Sequence, residues 1–187
     1  MSIATEIFMV RPAAFGYNPE TSASNEFQRK DSSFLHKDLQ QCAVEEFDAF
    51  VKKLQEHKIN VTVFQDSELP VKPDAIFPTN WLATMPDGQL IIFPMEAANR
   101  RIERSESIIH FFKENYFVHS FLDLSENESH QKFLEGTGSI IMDHANKKMY
   151  ACLSSRTSTS LFIQFANDNQ YEPIYFNASL KHGKASY

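Results

Sequence analysis

Apolar positions along the chain fall into two alternating patterns: short runs with a period of two, and longer stretches with a period of about 3.6. Glu6 to Val10 (Glu-Ile-Phe-Met-Val) is a short apolar run cut by Arg11-Pro12, and it predicts a strand. Residues 13–37 are polar, carry Gly16, Asn18-Pro19 and a Ser-rich run, and predict a long surface loop of the kind that often acts as a lid. From Asp38, the residues Leu39, Ala43, Phe47, Phe50, Val51 and Leu54 recur at helical spacing. Lys52, Lys53 and Glu56 lie on the opposite side, and the helix should end near His57-Lys58. Ile59 to Phe64 then alternates as a strand, with Ile59, Val61 and Val63 on one face.

The same order returns downstream. Asn80 to Met85 predicts a strand, Pro86-Asp87-Gly88-Gln89 a turn, and Leu90 to Pro94 a return strand that is apolar on both faces and therefore central. Met95 to Asn99 leads into a second helix with Ile102, Ile108, Ile109, Phe112 and Tyr116 as its buried side, and Phe117 to Leu122 follows as a strand. After a polar loop, Ser125 to Lys132, a strand at Ser139 to Met142 and its return at Lys148 to Leu153 precede a third helix. Its inward residues are Leu161, Phe162 and Phe165, and Tyr171 to Phe176 is the last strand. The helices begin near 38, 99 and 158, a spacing of about sixty residues, which predicts repeated units that stack on a shared α/β core.

One stretch stands out within this repeat. Pro73-Asp74-Ala75-Ile76-Phe77-Pro78-Thr79-Asn80-Trp81 holds a carboxylate, an amide and the single tryptophan between positions fixed by proline. Ile76 and Phe77 should anchor it in a core, leaving Asp74, Thr79 and Asn80 as polar groups on a stiff support. An arginine also sits where strand meets loop or helix in each unit: Arg11, Arg100-Arg101 and Arg156. If the units are related by rotation, these arginines converge with Asp74 and Glu135 on a cavity suited to a zwitterion. The competing reading pairs Arg100, Arg156, Asp74 and Glu135 with one another as structural ion pairs, and leaves Arg101 and Arg104 on a solvated helix face.

Composition narrows the classes. At 187 residues, 42% apolar and 22% charged, the chain is long enough for a real core and is read as a single domain, 1–187. Seventeen Phe imply an aromatic-rich core, and only five Gly argue against a glycine-rich phosphate loop. Net charge is −6 without a basic stripe, so no nucleic-acid partner is expected. No apolar run approaches the roughly 20 residues that span a bilayer, so no membrane partner is expected either. Met1 to Thr5 carries no signal-peptide pattern, and Cys42 and Cys152 make no disulfide framework, which together predict a cytoplasmic protein. Both cysteines are expected to pack as apolar residues. The seven His show no metal-ligand spacing, and neither metal nor organic cofactor is expected.

Four motifs carry a resemblance: Pro73 to Trp81, Asn99-Arg100-Arg101, Leu134-Glu135-Gly136-Thr137-Gly138 and Leu153-Ser154-Ser155-Arg156-Thr157. In order and spacing the chain resembles the guanidino-group-modifying superfamily of amidinotransferases, arginine deiminases and dimethylarginine dimethylaminohydrolases. Met9 to Thr21 looks closest to its citrulline-utilisation hydrolase branch. The resemblance implies a pentein-type α/β propeller, here a partial one with about three of the family's five ββαβ units. It implies a substrate-binding set of Asp74, Phe77, Asn80, Arg100 and Arg156. Asp74 would take the guanidinium or ureido end, Arg100 and Arg156 the carboxylate, and Glu135 would orient the catalytic His. Where some relatives carry a second carboxylate this chain has Asn80, an amide that donates and accepts, which favours a neutral ureido group. The family often has Gly-Gly-Asp after the acid, whereas this chain has Gly136-Thr137-Gly138-Ser139.

The family chemistry needs a Cys nucleophile and a His acid–base, and neither stands at a matching position. His182 lies before the place expected for the His. The chain therefore looks like the N-terminal part of such an enzyme, truncated or a natural remnant. Two functions follow. One is an amidino- or ureido-group hydrolase or transferase acting on an arginine- or citrulline-like amino acid. The other is an inactive remnant that binds such ligands and, through exposed strand edges, forms a homo-oligomer.

Overall fold

The N-terminal apolar run forms β1 (Glu6–Arg11), which pairs in parallel with β2 (Asn60–Gln65) from Glu6 opposite Asn60 to Arg11 opposite Gln65. The crossover between them is α1 (His36–Glu56). A computed structural model describes residues 6–22, 25, 28, 36–179 and 185–186 of the chain. It divides into two compact units, Met1–Pro78 and Thr79–Tyr187, and β1, α1 and β2 belong to the first.

α1 stops where Lys58 takes a left-handed conformation (φ 62°). The Ile59 and Lys58 N–H groups then donate to the Leu54 and Gln55 carbonyls, a Schellman closure without glycine. The expected apolar face of α1 is only partly covered. Phe47 is buried, but Phe50 is exposed and Leu39, Ala43, Val51 and Leu54 are half-buried. Val63, placed by the sequence on a packed face of β2, is also exposed. Cys42, expected to pack, lies exposed on α1.

The stretch after β1 is not the surface loop its polarity predicts. Pro12, Ala14, Gly16 and Asn18 are buried at every second position, because the polar groups here have buried partners rather than water. Residues 23–24, 26–27 and 29–35 of the predicted loop lie outside the described residues. Phe77 departs from its expected role as a core anchor: it is 49% exposed and lines an apolar groove of about 450 Å³ with Met9, Phe15, Phe47 and Phe50.

The second unit contains two copies of one motif. β3 (Leu82–Thr84) and β4 (Gln89–Ile92) form a hairpin, and β5 (Ser120–Asp123) adds in parallel to β4. β6 (Ile140–Asp143), β7 (Lys148–Cys152) and β8 (Glu172–Phe176) repeat that order and polarity. The first hairpin turns at Gly88, whose φ of 91° an L side chain rarely adopts. β4 is central, as its unbroken apolar run predicts, and Leu90 to Phe93 are buried.

Before each third strand lies a helical segment. In the second copy it is α5 (Thr159–Asp168), capped by Ser158, with Leu161, Phe162 and Phe165 buried as expected. Its core joins them to Ile91, Phe93, Met149 and Ala151, with Phe93 edge-on to Phe165 at 5.5 Å. In the first copy the single predicted helix is two: α2 (Ala98–Arg101) and α3 (Glu106–Asn115). The break falls at Ser105, whose side chain accepts from Ile108 N–H and caps α3. Ile102 lies in the break and is exposed, as is Tyr116 beyond α3.

Two further boundaries shift. Pro78–Asn80 forms a 3-10 turn, so the strand predicted from Asn80 begins at Leu82. A short helix, α4 (Gly136–Ser139), precedes β6. A small antiparallel pair not read from sequence, β9 (Ala178–Ser179) with β10 (Ala185–Ser186), follows β8. His182 lies outside the described residues. Among the described residues no helix is long and apolar enough to cross a membrane.

Candidate functional site

The second unit gathers four of the residues singled out from sequence. Glu135 precedes α4 and is 2% exposed. Its Oε1 accepts the Glu96 N–H at 2.9 Å, and its Oε2 accepts Arg156 Nε at 2.8 Å and Nη2 at 2.7 Å. Arg100, on α2 and 3% exposed, brings Nη1 to 4.0 Å from the same oxygen. Arg100 also forks onto Glu103, one turn on, with Nε and Nη2 each 2.9 Å from a carboxylate oxygen. Because both guanidinia can only donate, the Asn80 amide is assigned with its carbonyl oxygen toward them, 2.9 Å from Arg156 Nη2 and 3.0 Å from Arg100 Nη1.

Two guanidinia thus face two carboxylates in a nearly dry cluster, with one amide oxygen bridging the cations. Breaking such a pair from one side costs about 3–5 kcal/mol, because the surviving charge stays buried. The arrangement fixes Glu135 as an oriented acceptor: one oxygen is held by a backbone N–H and the other by a planar cation.

Glycine and serine make the cluster possible. A Cβ on Gly138 would overlap the Arg156 guanidinium and the Asn80 amide, and one on Gly136 would overlap the Thr79 carbonyl oxygen. Ser139 Oγ accepts the Glu135 N–H at 2.9 Å and donates to the Arg156 carbonyl at 2.7 Å, tying the two backbones together. The sequence motif Gly136-Thr137-Gly138-Ser139 therefore serves packing at its glycines and hydrogen bonding at Ser139. Thr79 Oγ1, in the 3-10 turn, and Thr137 Oγ1, on α4, lie 2.8 Å apart.

Arg101 and Arg104, expected on a solvated helix face, are instead drawn to Glu128. Arg101 Nε lies 3.3 Å from Glu128 Oε2, and Arg104 Nη2 contacts Glu128 Oε1. Burial pushes the Arg104 guanidinium below its ordinary pKa.

Asp74 belongs to the first unit, where it is 6% exposed. Its Oδ2 accepts Asn18 Nδ2 at 2.7 Å and Thr21 Oγ1 at 3.1 Å, and its Oδ1 accepts Gln28 Nε2 at 3.5 Å. Asn18 is itself fully buried, and its Oδ1 accepts the Glu20 N–H, an Asx-type turn that the Asn18-Pro19 pair signals. Asn18, Thr21 and Gln28 are partners that sequence reasoning missed, since a polar loop gives no sign of being buried. Arg11, expected to converge with the other arginines, forks onto Asp48 of α1 at 2.8 Å on both nitrogens. The bond to Asp48 raises the Arg11 pKa and lowers that of Asp48. Among the described residues no group of three or more His, Cys, Asp or Glu is placed to hold a metal ion.

Comparison with known proteins adds the decisive observation. Residues 11–187 match the family described as N,N dimethylarginine dimethylhydrolase, eukaryotic. The chain belongs to this family. It is thereby a member of the guanidino-group-modifying superfamily that its motifs resemble, and solved structures show the same pentein-type α/β fold. Dimethylarginine dimethylaminohydrolase from Pseudomonas aeruginosa, complexed with citrulline, is 18% identical at a TM-score of 0.64, over 94% of this chain and 62% of that one. The N-terminal domain of ArgZ, a cyanobacterial arginine dihydrolase bound to its substrate, is 17% identical at a TM-score of 0.65, over 96% of this chain and 65% of that one. Full-length ArgZ in its apo form matches at a TM-score of 0.62 and 15% identity over 96% of this chain, which spans 23% of that one. The chain thus spans less than two thirds of the length of these solved structures. A comparison with curated protein sequences finds no match.

Proposed function

We propose that this chain supplies the amino-acid-binding part of an amidino- or ureido-group hydrolase or transferase acting on an arginine- or citrulline-like amino acid. The observation that carries the reading is the buried network of Asn80, Arg100, Glu135 and Arg156 within a segment that matches the family. Asp74 serves as acceptor for the guanidinium or ureido N–H groups, Phe77 and Asn80 contribute to the substrate's distal end, and Arg100 and Arg156 bind its carboxylate. Glu135 orients a His. Reaction proceeds through a thiolate adduct of the substrate's central carbon and needs no metal or organic cofactor. The Cys and His for that chemistry do not stand at matched positions in these 187 residues. By itself the chain binds ligand without turnover.

Support comes from the relatives: solved structures hold S-methyl-L-thiocitrulline, citrulline or ornithine. The test is calorimetric titration of citrulline and arginine into the chain and into Asp74→Ala, with an ammonia-release assay alongside. The expected result is saturable binding weakened at least about tenfold by Asp74→Ala, a loss of about 1.4 kcal/mol, with no ammonia released. Equal binding by both proteins would sink the assignment of Asp74, and ammonia release would sink binding without turnover.

A second reading, self-association, draws on one face of the third sheet. Ile141 stands opposite Tyr150, and Tyr150 opposite Ile174, in the register that Ala83, Ile91 and Leu122 occupy in the second sheet. Ile91 is fully buried, whereas Ile141 is 71% exposed. Such a face suits a second copy of the chain.

A further inference from the structure

We infer that Glu128 and Arg101 are positioning residues for Glu135, acting through the backbone of Met95 and Glu96. The inference rests on the reading of Glu135 given above, and each of the four backbone groups of Met95 and Glu96 has a side-chain partner. The Met95 N–H donates to Glu128 Oε1 at 2.8 Å. The Met95 carbonyl accepts Arg101 Nε at 3.0 Å, and the Glu96 carbonyl accepts Arg101 Nη2 at 3.1 Å. The Glu96 N–H is thereby aimed at Glu135 Oε1, 2.9 Å away. Glu128 also lies 3.3 Å from Arg101 through its other oxygen, so the two side chains hold each other as well as the backbone.

The same clamp touches the Glu135 side of the pairing. The Arg101 guanidinium sits 5.8 Å from the centre of the Phe133 ring, and the neighbouring Leu134 N–H donates to the Pro94 carbonyl at 3.2 Å. Segment 94–96 and segment 133–135 are therefore held in register on both flanks of the carboxylate. An arginine suits this task because its planar fork can bond two successive carbonyls at once, which a lysine ammonium cannot do in one plane. Arg104 adds a second cation on Glu128, so that carboxylate is buried among donors and has little freedom to swing.

The test uses the whole 187-residue chain and two variants, Arg101→Lys and Glu128→Gln. Neither residue is assigned to ligand binding, so the readouts are the Glu96 amide and the Glu135 carboxyl, followed by NMR without ligand. The expected result is exchange of the Glu96 amide at least about tenfold faster than in the parent, with the Ile91 amide unchanged. The Glu135 carboxyl carbon resonance should move, since the carboxylate loses the Glu96 N–H donor. Citrulline binding, measured separately, should weaken about tenfold. A lower melting temperature with unchanged Glu96 exchange and an unmoved Glu135 carboxyl resonance would overturn the inference, because the pair would then be only structural. Failure of both variants to fold would overturn it too, since the clamp would then hold the whole unit and not one carboxyl. Absence of citrulline binding by the parent chain, with the two NMR shifts present, would count against the proposed function and leave the clamp standing.

Discussion

Gly136 and Gly138 show how much a single missing Cβ can decide. Next to Gly136 stands backbone, the Thr79 carbonyl oxygen, which has no way to give. Gly136→Ala should therefore destabilise the fold by about 3 kcal/mol, read as a fall in the urea midpoint with an unchanged slope. Next to Gly138 stand the ends of two side chains, Arg156 and Asn80. Gly138→Ala should lower stability by about 3 kcal/mol, since displacing Arg156 leaves the buried Glu135 carboxylate short of its cation. It should also weaken citrulline binding about tenfold, because the Arg156 guanidinium must leave Glu135. At the surface the Arg11–Asp48 fork makes a smaller prediction. The Asp48 pKa is lowered in the fold, so its stabilisation is present above the ordinary carboxylate range and disappears as pH falls through the lowered value. Arg11 stays charged throughout. Asp48→Asn should cost less than about 1 kcal/mol at neutral pH, and the difference from the parent should vanish at low pH or in high salt. Of these residues, Glu135, Arg100 and Arg156 were legible from their motifs. Glu103, the i, i+3 partner of Arg100, was missed, and so was the role of Ser139, because a hydroxyl linking two backbone groups leaves no pattern in a sequence.

Elements were read best where one periodicity governed the whole run. β4 has apolar residues on both faces and is central; α5 places Leu161, Phe162 and Phe165 inward as its spacing requires. The split between α2 and α3 was missed because Ile102 kept the helical period while Ser105, a residue suited to cap a new helix, interrupted it. The stretch after β1 was misjudged for a different reason: polarity marks a surface only when the polar groups have no buried partner, and Asn18 has Asp74. Helix endings offer a test at this scale. α5 closes at Gln170, which takes φ 62° while the Tyr171 and Gln170 N–H groups bond to the Ala166 and Asn167 carbonyls. An L residue in that conformation is strained where glycine is not. Gln170→Gly should raise stability by about 0.5–1 kcal/mol, seen as a higher melting temperature.

At the scale of the molecule, the repeat was the strongest signal in the sequence. Three strand–helix–strand segments follow at nearly constant spacing, and the second and third share one strand order. The division into two compact units was not legible, since nothing in composition changes near Pro78. The apolar core around Ile91, Phe93, Met149, Phe162 and Phe165 lies wholly within the second unit. Residues 79–187 expressed alone should therefore unfold cooperatively, with coincident transitions by fluorescence of Trp81 and by circular dichroism. Non-coincident transitions would show that the core does not suffice. Light scattering of the whole chain should report a dimer if the face around Ile141 takes a second copy, and Ile141→Lys should return it to a monomer.

Cys42 bears on how any such mass is interpreted. Its thiol stands in the open on α1, whereas Cys152 is half-buried in β7. In aerated buffer two copies can be joined through Cys42 by oxidation, and the product would have twice the 21.5 kDa of the chain whether or not the copies recognise each other. A doubled mass that disappears with a reducing agent therefore reports thiol chemistry, and only one that survives reduction reports affinity.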